Sequence, residues 1–379
     1  MRIAVIGAGP AGLYFAALRK LRHPRDDIRI FEQNPADATF GFGVVFSDTA
    51  LEFLHADDPD TVRLIAPHLE TWRDITVIHR GQAVVIDGIG FSAIGRLDLL
   101  HLLVTRAQAV GIEPVYGRAV RLPDEVRDAD LIVGADGLNS LVRRSCEADF
   151  ATSLSYLDNT FAWYGTAKRF DTLTQTFVES RFGPFNAHHY RYSGAMSTFI
   201  VECSPETWAN AGFAGMSEEQ SLRLCEDIFA ETLDGYPLIA NRSVWRTFPK
   251  LWAGRWVCRN MALLGDAAHT AHFSIGSGTR LALEDAVALA AALEAHPDDL
   301  AAALDAYDAT RRPIARKIVE ASMRSAAWYE HFGAHMSLAP FDFAMSYIAR
   351  SGRLDRERLV ALSPGFMLAY DKRGSVKGL

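Results

Sequence analysis

Short, nearly continuous apolar runs that end in glycine or a charged residue are interleaved along this chain with stretches in which apolar and polar positions alternate. Residues 3–6 (Ile-Ala-Val-Ile), 28–31 (Ile-Arg-Ile-Phe), 129–133 (Ala-Asp-Leu-Ile-Val) and 262–264 (Ala-Leu-Leu) are of the first kind and predict buried parallel strands. Residues 13–18 follow the first run with helix-forming composition. The spacing of Leu97, Leu99, Leu100, Leu102 and Leu103 against Asp98, His101 and Arg106 predicts a helix over 97–109, stopped by Gly111. Residues 174–178 and 198–202 are of the alternating kind and predict antiparallel strands with one covered face. Residues 281–331 read as helical, with a break or kink at Pro313.

These elements predict an α/β chain. A Rossmann-like nucleotide-binding domain made of residues 1–72, 95–150 and 255–300 is interleaved with an antiparallel-sheet substrate domain made of 73–94 and 151–254. A C-terminal helical region, 301–379, follows.

Composition narrows the function classes. With 379 residues and 49% hydrophobic content the chain can bury a large core. A net charge of −7 argues against a nucleic-acid or membrane-surface partner, because those call for a basic field. Cys146, Cys203, Cys225 and Cys258 are isolated in sequence and show no metal-binding spacing, so reduced thiols, no metal and a cytoplasmic location are expected. No stretch is long and apolar enough to span a bilayer.

The chemistry is carried by three glycine segments. In the first, Gly7 permits a tight turn, Gly9 lets backbone approach a pyrophosphate, and Gly12 lets the next helix pack close to its strand, with Pro10 and Ala11 at the helix start. That helix start offers free N–H groups and the positive end of its dipole to phosphates. Glu32, beside Gln33, ends the second strand 20 residues beyond Gly12, where a carboxylate can accept from ribose hydroxyls. Together these features predict dinucleotide binding.

The second segment places Asp136 and Gly137 at the carboxyl end of a strand, where open α/β sheets bind ligands. The third places Gly265 and Asp266 at another strand end, and Gly276, Gly278 and Thr279 at the start of a helix over 280–293. Asp266 can accept from a ribityl hydroxyl, and the helix start can direct N–H groups at a flavin's pyrimidine edge. Each aspartate can also be read as a simple turn or cap residue.

Gly7-x-Gly9-x-x-Gly12, Asp136-Gly137 with Arg143, and Gly265-Asp266-Ala267-Ala268-His269 with Gly276 and Gly278 resemble the single-component, class A FAD-dependent aromatic hydroxylases, which share the para-hydroxybenzoate hydroxylase-like fold. The segments 41–45, 163–166, 197–202 and 272–279 are similar to two subgroups, the monooxygenase portion of salicylyl-CoA 5-hydroxylase and 2-aminobenzoyl-CoA monooxygenase, and the violacein-pathway hydroxylase. The chain departs from many relatives in carrying His272 and Phe273 where they have prolines, and in lacking an arginine near Phe42. The longer CoA-ester enzymes carry a further reductase-like portion, which this chain is expected to lack.

The resemblance implies FAD as cofactor, NAD(P)H as reductant and molecular oxygen as co-substrate. It implies hydroxylation of an electron-rich aromatic ring through a flavin C4a-hydroperoxide, on a small aromatic substrate such as an aryl-CoA thioester. Alternatives are an indole-derived or other natural-product ring, and a non-hydroxylating flavin oxidoreductase or redox sensor. Gly43, Val44 and Arg96 join the expected FAD contacts, Arg96 because a cation at a helix start calls for an anionic partner. His272 and His188 are the candidates for activating the substrate. Trp163, Tyr164, Tyr190, Tyr192 and Phe273 are the expected substrate contacts, with His188, Tyr190 and Tyr192 on one strand face and His189 on the other.

Overall fold

The computed structural model describes residues 1–38, 41–47, 54, 58–121 and 125–376. The remaining residues, which fall within the expected nucleotide-binding and C-terminal regions, lie outside this description.

Five strands form the nucleotide sheet in the order Val257–Cys258, Met261–Leu263, Leu131–Gly134, Arg2–Ile6, Asp27–Phe31. All neighbours are parallel except the first pair. Every residue of Leu131–Gly134, and all but Arg2 of the Arg2–Ile6 strand beside it, is buried, which accounts for their unbroken apolar character. The helix Pro10–Arg22 covers this sheet and packs on the helix Gly278–Ala295, so the first and third glycine segments are neighbours in space.

The second sheet has eight strands. The path runs Leu238–Ala240, Thr152–Thr166, Ser197–Cys203, Gly183–Arg191, Leu173–Ser180, Ile75–His79, Gln82–Ile86, and Arg246–Ala253 also pairs with Thr152–Thr166. One face is covered by a core that includes Tyr164, Phe185, Phe199, Phe213 and Phe229. Another core sets Trp72, Ile75, Val77 and Phe177 against Tyr329, Phe343 and Tyr347 of the C-terminal helices.

Three features differ from the sequence expectation. Gly43–Ser47, Phe91–Gly95 and Glu70–Trp72 form a small antiparallel sheet of their own, which periodicity alone could not separate from the larger one. Pro313 lies inside a continuous helix, Leu300–Glu330, since the ring removes one hydrogen bond that long flanking helix can absorb. Cys146 and Cys258, isolated in sequence, meet beside Asp149: one ligand atom from each of the three lies within 4.8 Å of the others, and Cys258 Sγ is 3.4 Å from Asp149 Oδ2. Among the described residues no helix is long and apolar enough to cross a membrane.

Candidate active site

A cavity of about 710 Å³ lies between the nucleotide sheet and the eight-stranded sheet. Its lining includes Gly9, Pro10 and Ala11 of the first glycine segment, Gly137 of the second, and Gly265, Asp266, Gly276, Gly278 and Thr279 of the third. The same space is walled by Val44, Arg96, Trp163, His188, Tyr190 and Phe273.

The first turn is shaped for close approach. Gly7 has φ +106°, and a methyl there would sit 2.3 Å from the carbonyl oxygen of Ala135. A methyl on Gly12 would meet the carbonyl of Gly7 at 2.2 Å. Gly9 is different: the nearest atom to a side chain there is 3.9 Å away, so its space is kept open toward the cavity. Gly9 caps the helix Pro10–Arg22 without any side-chain bond, and Ser277 caps Gly278–Ala295 in the same bare way. Two uncapped helix starts therefore open on one cavity, an arrangement that suits an anion and a ring edge that accepts hydrogen bonds and negative charge.

Glu32 braces the turn. Its carboxylate accepts from the N–H of Ala8 at 3.0 Å, the N–H of Asn34 at 2.8 Å and Asn34 Nδ2 at 2.7 Å, while Gln33 beside it is exposed. Arg143 ties the second segment to the third, donating to the carbonyls of Ala267 at 2.7 Å and Leu138 at 2.5 Å. Asp136 does not line the cavity. Its Oδ2 accepts from the N–H of Leu141 at 2.5 Å and of Val142 at 3.3 Å, the arrangement that caps a short helix.

Asp266 opens into the cavity near Arg96. Burial pushes the Asp266 carboxyl above its ordinary value, against the pull of His269 and Arg96. Burial lowers Arg96, against the pull of Asp266 and Tyr190. Both groups thus gain from a polar ligand placed between them. Open helix starts, a side-chain-free approach at Gly9 and this aspartate and arginine on one cavity fit FAD, whose pyrophosphate, ribityl chain and ring edge need those three kinds of partner.

At the substrate end, the alternation along Gly183–Arg191 places His188 and Tyr190 in the cavity wall. His189 faces the other way, bonded to Thr176 Oγ1 at 2.9 Å and stacked on Phe199. The Tyr190 hydroxyl donates to the carbonyl of Gly43 at 3.0 Å, and Gly43 itself sits behind the wall with its N–H on Thr198 Oγ1.

Three expected contacts lie elsewhere. Tyr164 is buried on the far face of its strand with its hydroxyl 3.5 Å from Ser221 Oγ, because adjacent residues of a strand point to opposite faces and Trp163 takes the cavity side. Tyr192, just past the end of its strand, packs against Gly43 and Gly95 instead. His272 is buried behind the wall: its ring lies 4.1 Å from that of Phe273, and Nδ1 accepts from the N–H of Ser274 at 3.3 Å.

Sequence reasoning missed Gln175, Phe248, Tyr347 and Arg350, all in the wall. Gln175 lies inside a strand that the alternation did reveal, so its facing was readable. Arg350 comes from the far end of the chain and carried no signal.

The comparisons agree with this geometry. Residues 121–322 match the FAD binding domain family. The chain is 42% identical over 361 residues to salicyloyl-CoA 5-hydroxylase of a Streptomyces species, covering 93% of this chain and 70% of that protein. It is 34% identical over 358 residues to protodeoxyviolaceinate monooxygenase of Chromobacterium violaceum, covering 92% and 94% of the two chains. The fold is shared with PqsL of Pseudomonas aeruginosa, solved in complex with 2-aminobenzoylacetate, at a TM-score of 0.69 and 22% identity, over 90% of this chain and 99% of that one. With its glycine turns, open helix starts and aromatic-walled cavity in one place, this chain belongs to the FAD-dependent aromatic hydroxylases.

Proposed function

We propose that the chain hydroxylates the ring of an aromatic acyl thioester of the salicyl-CoA kind, with NAD(P)H as reductant, in the cytoplasm. The observation that carries this reading is the continuity of one cavity from the glycine turns to a wall of Phe161, Trp163, Ile200, Phe248 and Phe273. The likeness to a protein that acts on salicyloyl-CoA supplies the substrate class.

FAD, when bound, supplies the redox chemistry that activates molecular oxygen. The chain's own part is to bind, orient and dry. Gly9, Pro10 and Ala11 would hold the pyrophosphate, Asp266 the ribityl chain, and the backbone of Gly276, Gly278 and Thr279 the ring edge. The aromatic wall excludes water and fixes the plane of the substrate ring, so that the position to be hydroxylated meets the cofactor in one orientation.

The test is a purified, FAD-loaded enzyme offered salicyl-CoA, other aryl-CoA thioesters, the free acids and indole-derived acids. Ligand-stimulated NAD(P)H oxidation with one atom of labelled oxygen in the product, seen by mass spectrometry for a thioester, is the expected result. Turnover of the indole acids alone would instead favour the second reading, which rests on the likeness to the violacein-pathway enzyme. Oxidation without any hydroxylated product would sink both.

A further inference from the structure

The substrate end of the cavity contains a hydrogen-bond chain whose direction follows from its members. The Tyr329 hydroxyl lies 3.1 Å from Gln175 Oε1 and donates to it, since a carbonyl oxygen only accepts. The amide nitrogen of Gln175 therefore faces His188 Nδ1, at 3.0 Å, and an amide nitrogen only donates. Nδ1 thus carries no proton, and the neutral ring holds its proton on Nε2, 3.2 Å from Glu202 Oε2. The other oxygen of Glu202 accepts from Asn159 Nδ2 at 3.0 Å. Both nitrogens of His188 are engaged inside the protein, so this ring lines the cavity without offering a nitrogen to a substrate.

Two neighbouring groups do have hydrogens to give. The second amide hydrogen of Gln175 has no partner among the described residues, and Gln175 lines the cavity. Arg350 also lines it, stacked 3.8 Å over the ring of Tyr347. Its Nη1 donates to the carbonyl of Tyr347 at 2.7 Å and its Nη2 to that of Ser274 at 2.9 Å, which leaves one hydrogen on each. Among the described residues no carboxylate pairs with this guanidinium. This half-buried guanidinium, with the rings of Tyr329 and Tyr347 beside it, gains from a ligand that brings the opposite charge.

We infer that Arg350 and Gln175 form an oxyanion-binding end of the pocket that takes the ring oxygen of a 2-hydroxyaryl substrate as its phenolate and disfavours a 2-amino group in the same place. The inference rests on the hydroxylase reading above and adds the residues that would recognise the 2-hydroxyl and turn away a 2-amino group. An amino group would bring N–H against N–H and a cation, whereas a phenolate satisfies both donors. Holding the oxygen as an anion also pushes electron density into the ring para to it, the position an electrophilic oxygen would then take.

The experiment titrates the FAD-loaded enzyme with 2-hydroxybenzoyl-CoA, 2-aminobenzoyl-CoA and benzoyl-CoA, following the visible spectrum of the flavin for affinity and the ultraviolet band of bound phenolate for ionisation. The wild type is expected to bind the hydroxy compound at least about tenfold more tightly than the amino compound, and as phenolate at a pH at least one unit below that needed in solution. Arg350→Met should erase both the preference and the phenolate band while changing benzoyl-CoA affinity less than about threefold. Arg350→Lys should restore part of each, and Gln175→Leu should weaken the hydroxy compound alone. Equal losses for all three ligands in Arg350→Met would reduce Arg350 to a clamp between Ser274 and Tyr347 and overturn the inference. Hydroxylation of these ligands by a wild type with no preference overturns it while leaving the hydroxylase reading standing. Binding of none of them overturns it together with the thioester reading.

Discussion

Asp285 holds His269 by a 2.8 Å bond to Nε2, reaching back from the helix that follows the late glycine turn. The same carboxylate accepts from the N–H of Gly265 at 2.9 Å and from Arg311 Nε at 2.7 Å. Burial alone would raise its proton affinity, yet His269 and Arg311 keep the carboxyl below its ordinary value. The turn that presents Asp266 to the cavity therefore hangs on a buried ion pair. Asp285→Ala leaves Arg311 Nε, His269 Nε2 and a backbone N–H without this partner in the core, although Glu284 at 2.8 Å still pairs the guanidinium, which should cost about 3 kcal/mol and lower the melting temperature by roughly 4 °C. A shift of less than about 2 °C by differential scanning fluorimetry would rule this bracing out.

Gly9 separates binding from folding. The 3.9 Å of clear space around it means that Gly9→Leu should leave the apoprotein folded. The new side chain would fill the approach to the two nearest backbone N–H groups, so FAD should be lost on purification and not regained on reconstitution. Circular dichroism and the ratio of flavin to protein absorbance report the two properties separately. A yellow Gly9→Leu protein would contradict the assignment of this turn.

Asp266 should behave in the opposite way to Asp285. It stands exposed on the open cavity, so Asp266→Ala should leave the melting temperature of the apoprotein nearly unchanged. FAD affinity should fall about 10- to 100-fold, the loss of one or two charge-assisted hydrogen bonds. Comparable losses in apoprotein stability would instead make Asp266 a turn residue.

His272 is expected to matter for pH dependence. Burial, helped by His188 and Arg350 and opposed by Glu202, lowers its pKa to about 4. The folded state keeps the ring neutral while an unfolded chain takes up a proton near pH 6.5, so stability falls as the pH drops from 6.5 toward 4. The amount is at most about 3 kcal/mol. His272→Phe should flatten that decline in thermal melts, with the share of reducing equivalents reaching product close to wild type. Unchanged acid sensitivity together with extra hydrogen peroxide would return the imidazole to the substrate.

The parts of this molecule that were legible in the sequence are those fixed by neighbours along the chain. Gly7 to Gly12 makes its turn with residues within one strand and one helix, and the facing of His188 against His189 follows from period two. The same rule applied at Trp163 and Tyr164 allows only one of them into the cavity, and the alternation did not say which. His272 stood out as a candidate for activating the substrate because it precedes the helix that faces the flavin, but its ring is buried behind Phe273, with Nδ1 taken by the N–H of Ser274. Arg350 reaches the site only because the helix Pro340–Ala349 packs across Ile75–His79 and Gln82–Ile86, a contact between parts of the chain more than 250 residues apart.

The place of Arg2–Ile6 between Asp27–Phe31 and Leu131–Gly134 in the nucleotide sheet also sets an order of events during synthesis. Its partner Leu131–Gly134 emerges from the ribosome only after more than a hundred further residues, and Met261–Leu263 later still. At translation rates of about 5–20 residues per second, the first strand pairs early with Asp27–Phe31 but waits on the order of ten seconds or more for this second neighbour. The loop that ends at Thr279 joins the cavity later again, and Tyr347 and Arg350 join it last. FAD therefore cannot template the early folding of the segment that carries its own phosphate turn, and loading of the cofactor belongs to the last stage of the nascent chain's life.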